Sequence, residues 1–234
     1  MSFLLRIPSI GSRLRLTGFT DWHSHILPGV DDGVPTLDRA LWILDRYERL
    51  GIADVWLTPH IMEDIPNQTD MLRSRFARLE EAYAGNVRLH LAAENMIDRL
   101  FLTRLDSDDV LPIGPRGDML LVETSYFNAP AGFMETLGHI RSKGYFPLLA
   151  HPERYDYIDS LKRYRELKES GVRFQLNLLS LTGYYGHKAK EKSRRLLAEG
   201  LYDHVGTDLH RRAQIGLVAD MRLPRRAARL ISGR

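Results

Sequence analysis

Cysteine is missing from all 234 residues. That excludes a disulfide framework, a thiolate metal ligand and a cysteine nucleophile. No run approaches the ~20 consecutive apolar residues of a membrane span. The first sixteen residues hold a short apolar patch, but Pro8, Gly11 and arginines interrupt it where a signal core would continue. A structured arm or flexible lead-in is expected there, on a cytoplasmic protein. No glycine-rich phosphate fingerprint follows the first predicted strand, so a dinucleotide-binding doubly wound sheet loses support. Repeats, low-complexity tracts and interdomain linkers are likewise missing, as is any basic patch interleaved with aromatics, and no nucleic-acid partner is expected.

What is present suits one sizeable core, with 44% hydrophobic and 27% charged residues. The net charge of +3 is unevenly spread. Residues 1–20 carry Arg6, Arg13 and Arg15 without an acid, and residues 211–234 carry seven arginines against Asp220. The body between is therefore acidic. Such tails suit anionic partners, although inert solvated tails are the preferred expectation.

Short apolar runs predict strands at 19–26, 54–60, 87–94, 119–125, 146–151, 173–179 and 204–210. Helical patterns fall at 37–50, 69–84, 132–143, 160–170 and 188–199, with Thr36 as an N-cap and stop signals at Gly51, Gly85, Gly144, Gly171 and Gly200. Residues 96–118 read as a short helix and a loop. Strands separated by helices imply parallel βαβ units. The expected fold is α/β, a closed or distorted seven-stranded (β/α) barrel.

The unusual polar residues fall at the predicted strand ends: Asp21, His23 and His25 on the first, His60 on the second, Glu94 on the third, Glu123 on the fourth, His151 on the fifth, Asp208 and His210 on the seventh. In a parallel barrel all C-terminal strand ends share one face, where active sites form. Residues i and i+2 of a strand point to one side, so His23 can chelate with His25, and Asp208 with His210. Imidazole and carboxylate donors suit Zn, Mn or Fe. One tetrahedral ion needs about four ligands, so this surplus argues for two or three ions, with Glu94 as a bridge. Asp31 or Asp32 can add a ligand, with a plain acidic turn before Gly33 as the competing reading. Arg154 offers a planar fork for phosphate. His90 is read as a hydrogen-bonded core residue, and His139 and His187 as surface residues. His204 is left open between support of Asp208 and strand packing.

The run from Asp21 to Gly33, with Thr58-Pro59-His60, Ala93-Glu94, Val122-Glu123, His151-Pro152-Glu153-Arg154 and Thr207-Asp208-Leu209-His210, resembles the PHP superfamily of polymerase and histidinol phosphatase domains. More narrowly, these motifs and the run from Gln175 to Gly186 are similar to the bacterial PHP-type tyrosine phosphatases of capsule and exopolysaccharide operons. The resemblance implies a PHP-type distorted barrel over 18–212, between a basic arm at 1–17 and an Arg-rich segment at 213–234. It implies a trinuclear site, manganese first with iron or zinc as the other options. His23, His25, Glu94 and Asp208 would hold one ion; Glu94, Glu123 and His151 a second; and His60, His210 and either Asp31 or Asp32 the third. Arg154 matches the family's phosphate-contacting arginine, and Arg211 or Arg212 would serve as a second. Ile61 and Asn95 depart from the usual motif.

The implied activity is hydrolysis of protein phosphotyrosine by a metal-activated hydroxide, with Arg154 on the phosphoryl oxygens and His210 or Asp208 assisting the phenolate. The implied partner is a bacterial tyrosine autokinase, and the enzyme is expected to regulate exopolysaccharide or capsule synthesis, with a homo-oligomer left open. The alternatives are a small phosphate monoester such as histidinol phosphate, an amidohydrolase-like hydrolase, for which a metal-bridging lysine is wanted at a strand end, and a non-catalytic module.

Overall fold

In the computed structural model, strands and helices alternate along the described residues, 16–221 and 223–232. The order is β1 (Phe19–Ser24), α1 (Leu37–Leu50), β2 (Ile52–Leu57), β3 (His60–Ile61), α2 (Thr69–Ala82), β4 (Arg88–Leu91), β5 (Glu94–Met96), α3 (Arg99–Asp106) and β6 (Met119–Glu123). It continues with α4 (Phe133–Ser142), β7 (Phe146–Ala150), α5 (Leu161–Glu169), β8 (Arg173–Asn177), α6 (Gly186–Ala198), β9 (His204–Gly206), α7 (Arg212–Ala219) and α8 (Arg225–Ser232). Arg6, Arg13 and Arg15 of the expected basic arm lie outside the described residues.

Every strand pair is parallel, in two sheets ordered β1-β2-β4 and β3-β5-β6-β7-β8-β9. The expected count of seven becomes nine segments because the second and third predicted strands are each broken. Pro59 has no N–H to continue a ladder, and Thr58 turns its own N–H to Ser24 O at 2.8 Å. Past the break Pro59 O accepts from Glu94 N at 3.1 Å, and Ala92 N donates to Leu57 O at 2.9 Å. The chain thus passes from the three-stranded to the six-stranded sheet at 58–59, returns through α2, and passes over again at 92–93. At the far side Ser24 bridges Leu209, so β1 lies beside the end of β9.

Both sheet faces are covered, which is why the strands are nearly continuously apolar. Leu121, Leu148 and Ala150 pack with Trp56 and Met119 in one cluster. Their neighbours Leu120, Val122 and Leu149 face the larger cluster, which takes in Leu137 and Ile140 of α4. Gly51 ends α1 in the left-handed conformation at φ 84°, but the stop expected at Gly85 falls earlier, where Tyr83 caps α2 in extended conformation. Thr36 has an N-cap's extended backbone without a side-chain cap bond. Asp98 caps α3, accepting from Phe101 N at 2.8 Å.

The C-terminal segment corrects the expectation of a solvated tail. Helix α7 packs on α1, and α8 lies against β1, β9 and α6 with Ala227 fully buried. No helix among the described residues is long and apolar enough to cross a membrane.

Candidate metal centre

Nine of the side chains singled out in the sequence converge beyond the C-terminal ends of the strands. Glu94 sits at the middle. Its Oε2 lies 3.1 Å from His23 Nε2, 3.2 Å from His25 Nε2 and 3.2 Å from His60 Nδ1, while Oε1 lies 3.1 Å from His151 Nε2. Glu123 adds Oε1 at 3.0 Å from His60 Nδ1 and Oε2 at 3.9 Å from His151 Nε2. Asp208 Oδ1 is 3.5 Å from His23 Nε2 and 3.4 Å from both His25 Nε2 and His210 Nδ1. Asp32 Oδ1 closes the outer side, 3.6 Å from His60 Nε2 and 3.4 Å from His210 Nε2.

Three donor groups in this cluster are tight enough to seat an ion: His25, Asp32, His60 and His210; His23, His25 and Glu94; and His60, Glu94 and Glu123. These groups put His60 with Glu94 and Glu123, where the family resemblance placed His151.

The donor atoms fit cations in how they meet one another. His60 Nδ1, Glu94 Oε2, Glu123 Oε1 and His151 Nδ1 are buried and make no aligned hydrogen bond, four of seven such side-chain atoms among the described residues, although the first three crowd one another and the other imidazoles at 3.0–3.2 Å. Carboxylate oxygens and imidazole nitrogens that crowd together without aligned hydrogen bonds mark a set suited to positive charge between them. Electrostatics agree. Burial alone would lower the His23 pKa, but Glu94 and Asp208 outweigh it and lift it to about 9. Burial likewise opposes protonation of His25, which Asp31 and Glu94 raise well above its usual range. Burial would raise Glu94, yet His23 and His60 hold it far below the ordinary carboxylate range. Imidazole nitrogen with carboxylate oxygen is the donor chemistry of Mn, Fe and Zn, and the residues fit.

The imidazoles are aimed by their second nitrogens. Gln175 Oε1 accepts from His23 Nδ1 at 3.0 Å and from His151 N at 3.2 Å. Asp31 Oδ2 accepts from His25 Nδ1 at 2.8 Å and from His60 N at 3.1 Å, while Oδ1 takes Gly33 N at 2.9 Å. Asp31 therefore lies behind the cluster, and of the pair only Asp32 faces it. Gly33 is fixed by crowding, since a Cβ there would stand 2.3 Å from His25 O.

The i, i+2 argument holds for His23 and His25, whose Nε2 atoms are 3.1 Å apart. For Asp208 and His210 it gives the right proximity for the wrong reason. Strand β9 ends at Gly206, and Asp208 turns into the left-handed region at φ 52°. His151 does the same after β7, at φ 33°. Non-glycine residues rarely adopt this backbone, and its occurrence at two members of one cluster marks local strain held by the surrounding bonds. Below the cluster Asp21 ties β1 to β9, accepting from Thr207 N and Oγ1, Tyr47 Oη and His23 N.

A cleft of about 380 Å³ opens over the cluster, walled by Tyr126, Arg154, Tyr184, Tyr185 and Arg211. Arg154 donates from Nη1 to Asp208 Oδ2 at 2.8 Å, and its guanidinium carbon lies 4.4 Å from the Tyr126 ring centre and 4.0 Å from that of Tyr185. Asn177 Nδ2 donates to the same Asp208 oxygen at 2.8 Å. Arg212 is a correction: it stacks on Trp42 at 3.8 Å, outside this cleft. His204 also lies away from the cluster, its ring 3.9 Å from Trp22, which resolves it to packing. His90 is hydrogen-bonded to Asp54 at 3.0 Å but one-third exposed, so it is no core residue. His139 of α4 pairs with Asp106 at the end of α3, and His187 is exposed. Sequence reasoning missed the supporting roles of Gln175 and Asn177 and the clamp of Tyr126 and Tyr185. For Gln175 and Tyr185 the run from Gln175 to Gly186 was the available signal.

Comparison with known proteins agrees with this geometry. The chain is 26% identical over 203 residues to the tyrosine-protein phosphatase YwqE of Bacillus subtilis (strain 168), covering 81% of this chain and 76% of that one. It is 27% identical over 203 residues to the tyrosine-protein phosphatase CpsB of Streptococcus pneumoniae, covering 81% and 82%. A chain from the crystal structures of those two proteins, described as metal-dependent tyrosine phosphatases, superposes with a TM-score of 0.70 at 25% identity over 86% of this chain and 85% of that one. An amidohydrolase from Mycoplasma synoviae shares the fold alone, with a TM-score of 0.52 at 16% identity over 90% and 78%. The family model for capsular polysaccharide synthesis, CpsB/CapC, matches residues 19–216, and the chain belongs to that family.

Proposed function

We propose that this chain is a metal-dependent phosphoric monoester hydrolase that removes phosphate from tyrosine in proteins. The reading rests on one observation: a buried set of imidazoles and carboxylates with donor atoms lacking aligned hydrogen bonds stands beside an arginine held between two tyrosine rings. The names of the relatives support it. In this reading residues 18–212 form a seven-stranded PHP-type barrel and two or three divalent ions bind, manganese ahead of iron or zinc. His23, His25, Asp32, His60, Glu94, Glu123, His151, Asp208 and His210 hold them, and Asp31 aims His25.

Phosphate monoesters hydrolyse very slowly unaided. Divalent ions at this site supply a water acidic enough to ionise near neutral pH and neutralise phosphoryl charge. Arg154 pairs with non-bridging oxygens through the N–H groups that Asp208 leaves free. Tyr126 and Tyr185 keep its plane fixed and give the cleft aromatic walls suited to a phenyl ester. Of the two groups expected to assist the phenolate, Asp208 is unsuited. Burial would raise its pKa, but His23, His210 and neighbouring imidazoles hold it ionised, and Arg154 and Asn177 bind the carboxylate. His210 remains, in a minor role, because phenolate leaves readily. A bridging lysine of the amidohydrolase type has no counterpart, since no lysine lines the cleft.

The proposed substrate is a phosphotyrosine-bearing protein of the cytoplasm, a tyrosine autokinase of a capsule or exopolysaccharide system, with assembly of the chain into a homo-oligomer. Metal analysis of purified protein, with turnover of phosphotyrosine peptide and histidinol phosphate before and after chelation, tests the reading. Phosphotyrosine turnover lost on stripping and restored by manganese is expected. Activity that survives complete stripping refutes the metal role, and preference for histidinol phosphate refutes the substrate.

A further inference from the structure

A second cavity, about 420 Å³, adjoins the catalytic cleft. The two share His210 and Arg211 as a common wall. Beyond that wall the second cavity is lined by Arg39 of α1, Arg211 and Arg212 at the start of α7, and the apolar Val34, Pro35 and Ile43. It contains three arginines and no carboxylate. None of the three is in an ion pair among the described residues, and on α1 the carboxylate of Asp45 is paired with Arg49. Arg212 lies flat on Trp42 at 3.8 Å. A guanidinium stacked by its face keeps its edge N–H groups for an in-plane anion.

Three like charges around one concavity give it a positive potential that attracts an anion. The fixed plane of Arg212 lowers the ordering cost of receiving one. Because the wall between the cavities is a single pair of residues, one peptide can reach both.

We propose that this cavity is a substrate subsite that binds an anionic side chain flanking the phosphotyrosine. The proposal deepens the phosphatase reading and rests on it. The favoured anion is a carboxylate, and a second phosphoryl group would use the same donors.

The test measures binding apart from chemistry. Peptides with a non-hydrolysable phosphonate analogue of phosphotyrosine, flanked by glutamates or by alanines, are titrated by fluorescence anisotropy into manganese-loaded protein. The glutamate peptide should bind about 5- to 10-fold more tightly, the sum of two or three partly exposed charge pairs of ordinary size. Arg39→Glu should abolish that preference and Arg39→Lys should keep most of it. Arg39 lies outside the catalytic cleft, so turnover of p-nitrophenyl phosphate should be unchanged in both variants. Equal binding of the two peptides by the unsubstituted protein overturns the proposal, as does a preference that survives Arg39→Glu. A peptide with a second phosphotyrosine analogue in the flanking place assigns the anion: tighter binding than glutamate means phosphate, equal or weaker binding means carboxylate. Loss of p-nitrophenyl phosphate turnover in the unsubstituted protein would count against the phosphatase reading alone, since the binding comparison stands without it.

Discussion

His204 provides a quantitative test of how strand β9 is held. Its imidazole lies on the Trp22 ring at the start of that strand, whose continuation carries Asp208 and His210. Burial is the main cause that brings its pKa from the ordinary 6.5 to about 4, with Arg173 and Lys168 adding to the effect and Asp203 and Asp118 opposing it. The folded protein therefore keeps this histidine neutral while the unfolded chain protonates it. Its contribution to stability is intact above pH 6.5, falls as pH drops from there to about 4, and then levels off. Linkage over that window gives a loss of about 2 kcal/mol between pH 7.5 and pH 5. Other groups also titrate, and His23 and His25 act in the opposite sense, so the measurement must be a difference. His204→Phe keeps a ring on Trp22 and removes the proton site. Urea denaturation followed by tryptophan fluorescence, with chelator present and ionic strength fixed, would be run on both proteins at several pH values. The stability gap should move by about 2 kcal/mol in favour of the phenylalanine variant on going to pH 5. Parallel profiles would refute the argument that a neutral imidazole is buried there.

Other perturbations act on the site itself. Arg154→Lys keeps the charge but not the plane between Tyr126 and Tyr185, and should lower kcat/KM about tenfold or more in phosphotyrosine assays. Gln175→Leu strips His23 Nδ1 of its acceptor and should weaken metal binding about 10- to 100-fold, read by competition with a chelating dye. Gly206→Ala would bring a Cβ to 2.5 Å from His23 Cβ and 2.9 Å from His23 N. It should lose metal and about 1–3 kcal/mol of stability, seen by elemental analysis and melting. Asp31→Asn should impair metal binding less than Asp32→Asn if Asp32 is the ligand, and the opposite order would reverse that assignment.

Strand ends were legible because apolar runs and glycine stops leave a clear rhythm, and chemistry at those ends follows from parallel topology alone. The breaks at Pro59 and Ala92 were less legible. Pro59 was a visible signal, but two adjacent alanines carry none, since that break depends on where neighbouring carbonyls stand. Asp31 and Asp32 could not be told apart in sequence, because adjacent residues in a turn differ only in which way the backbone aims them. Arg212 illustrates the same limit: an arginine next to a motif stacks on a half-buried indole, Trp42, and lies outside the cleft. The left-handed backbone of His151 and Asp208 had no composition signal at all.

The bond from Thr207 N to Asp21 joins residues 186 positions apart. Closing so long a loop costs more entropy than any local pairing, though the cost grows only logarithmically with length. Folding must therefore delay this closure until the intervening strands have reduced the search. His23 and His25 sit at the first strand and Asp208 and His210 just past the last, so the donor cluster is complete only when those two strands are docked side by side.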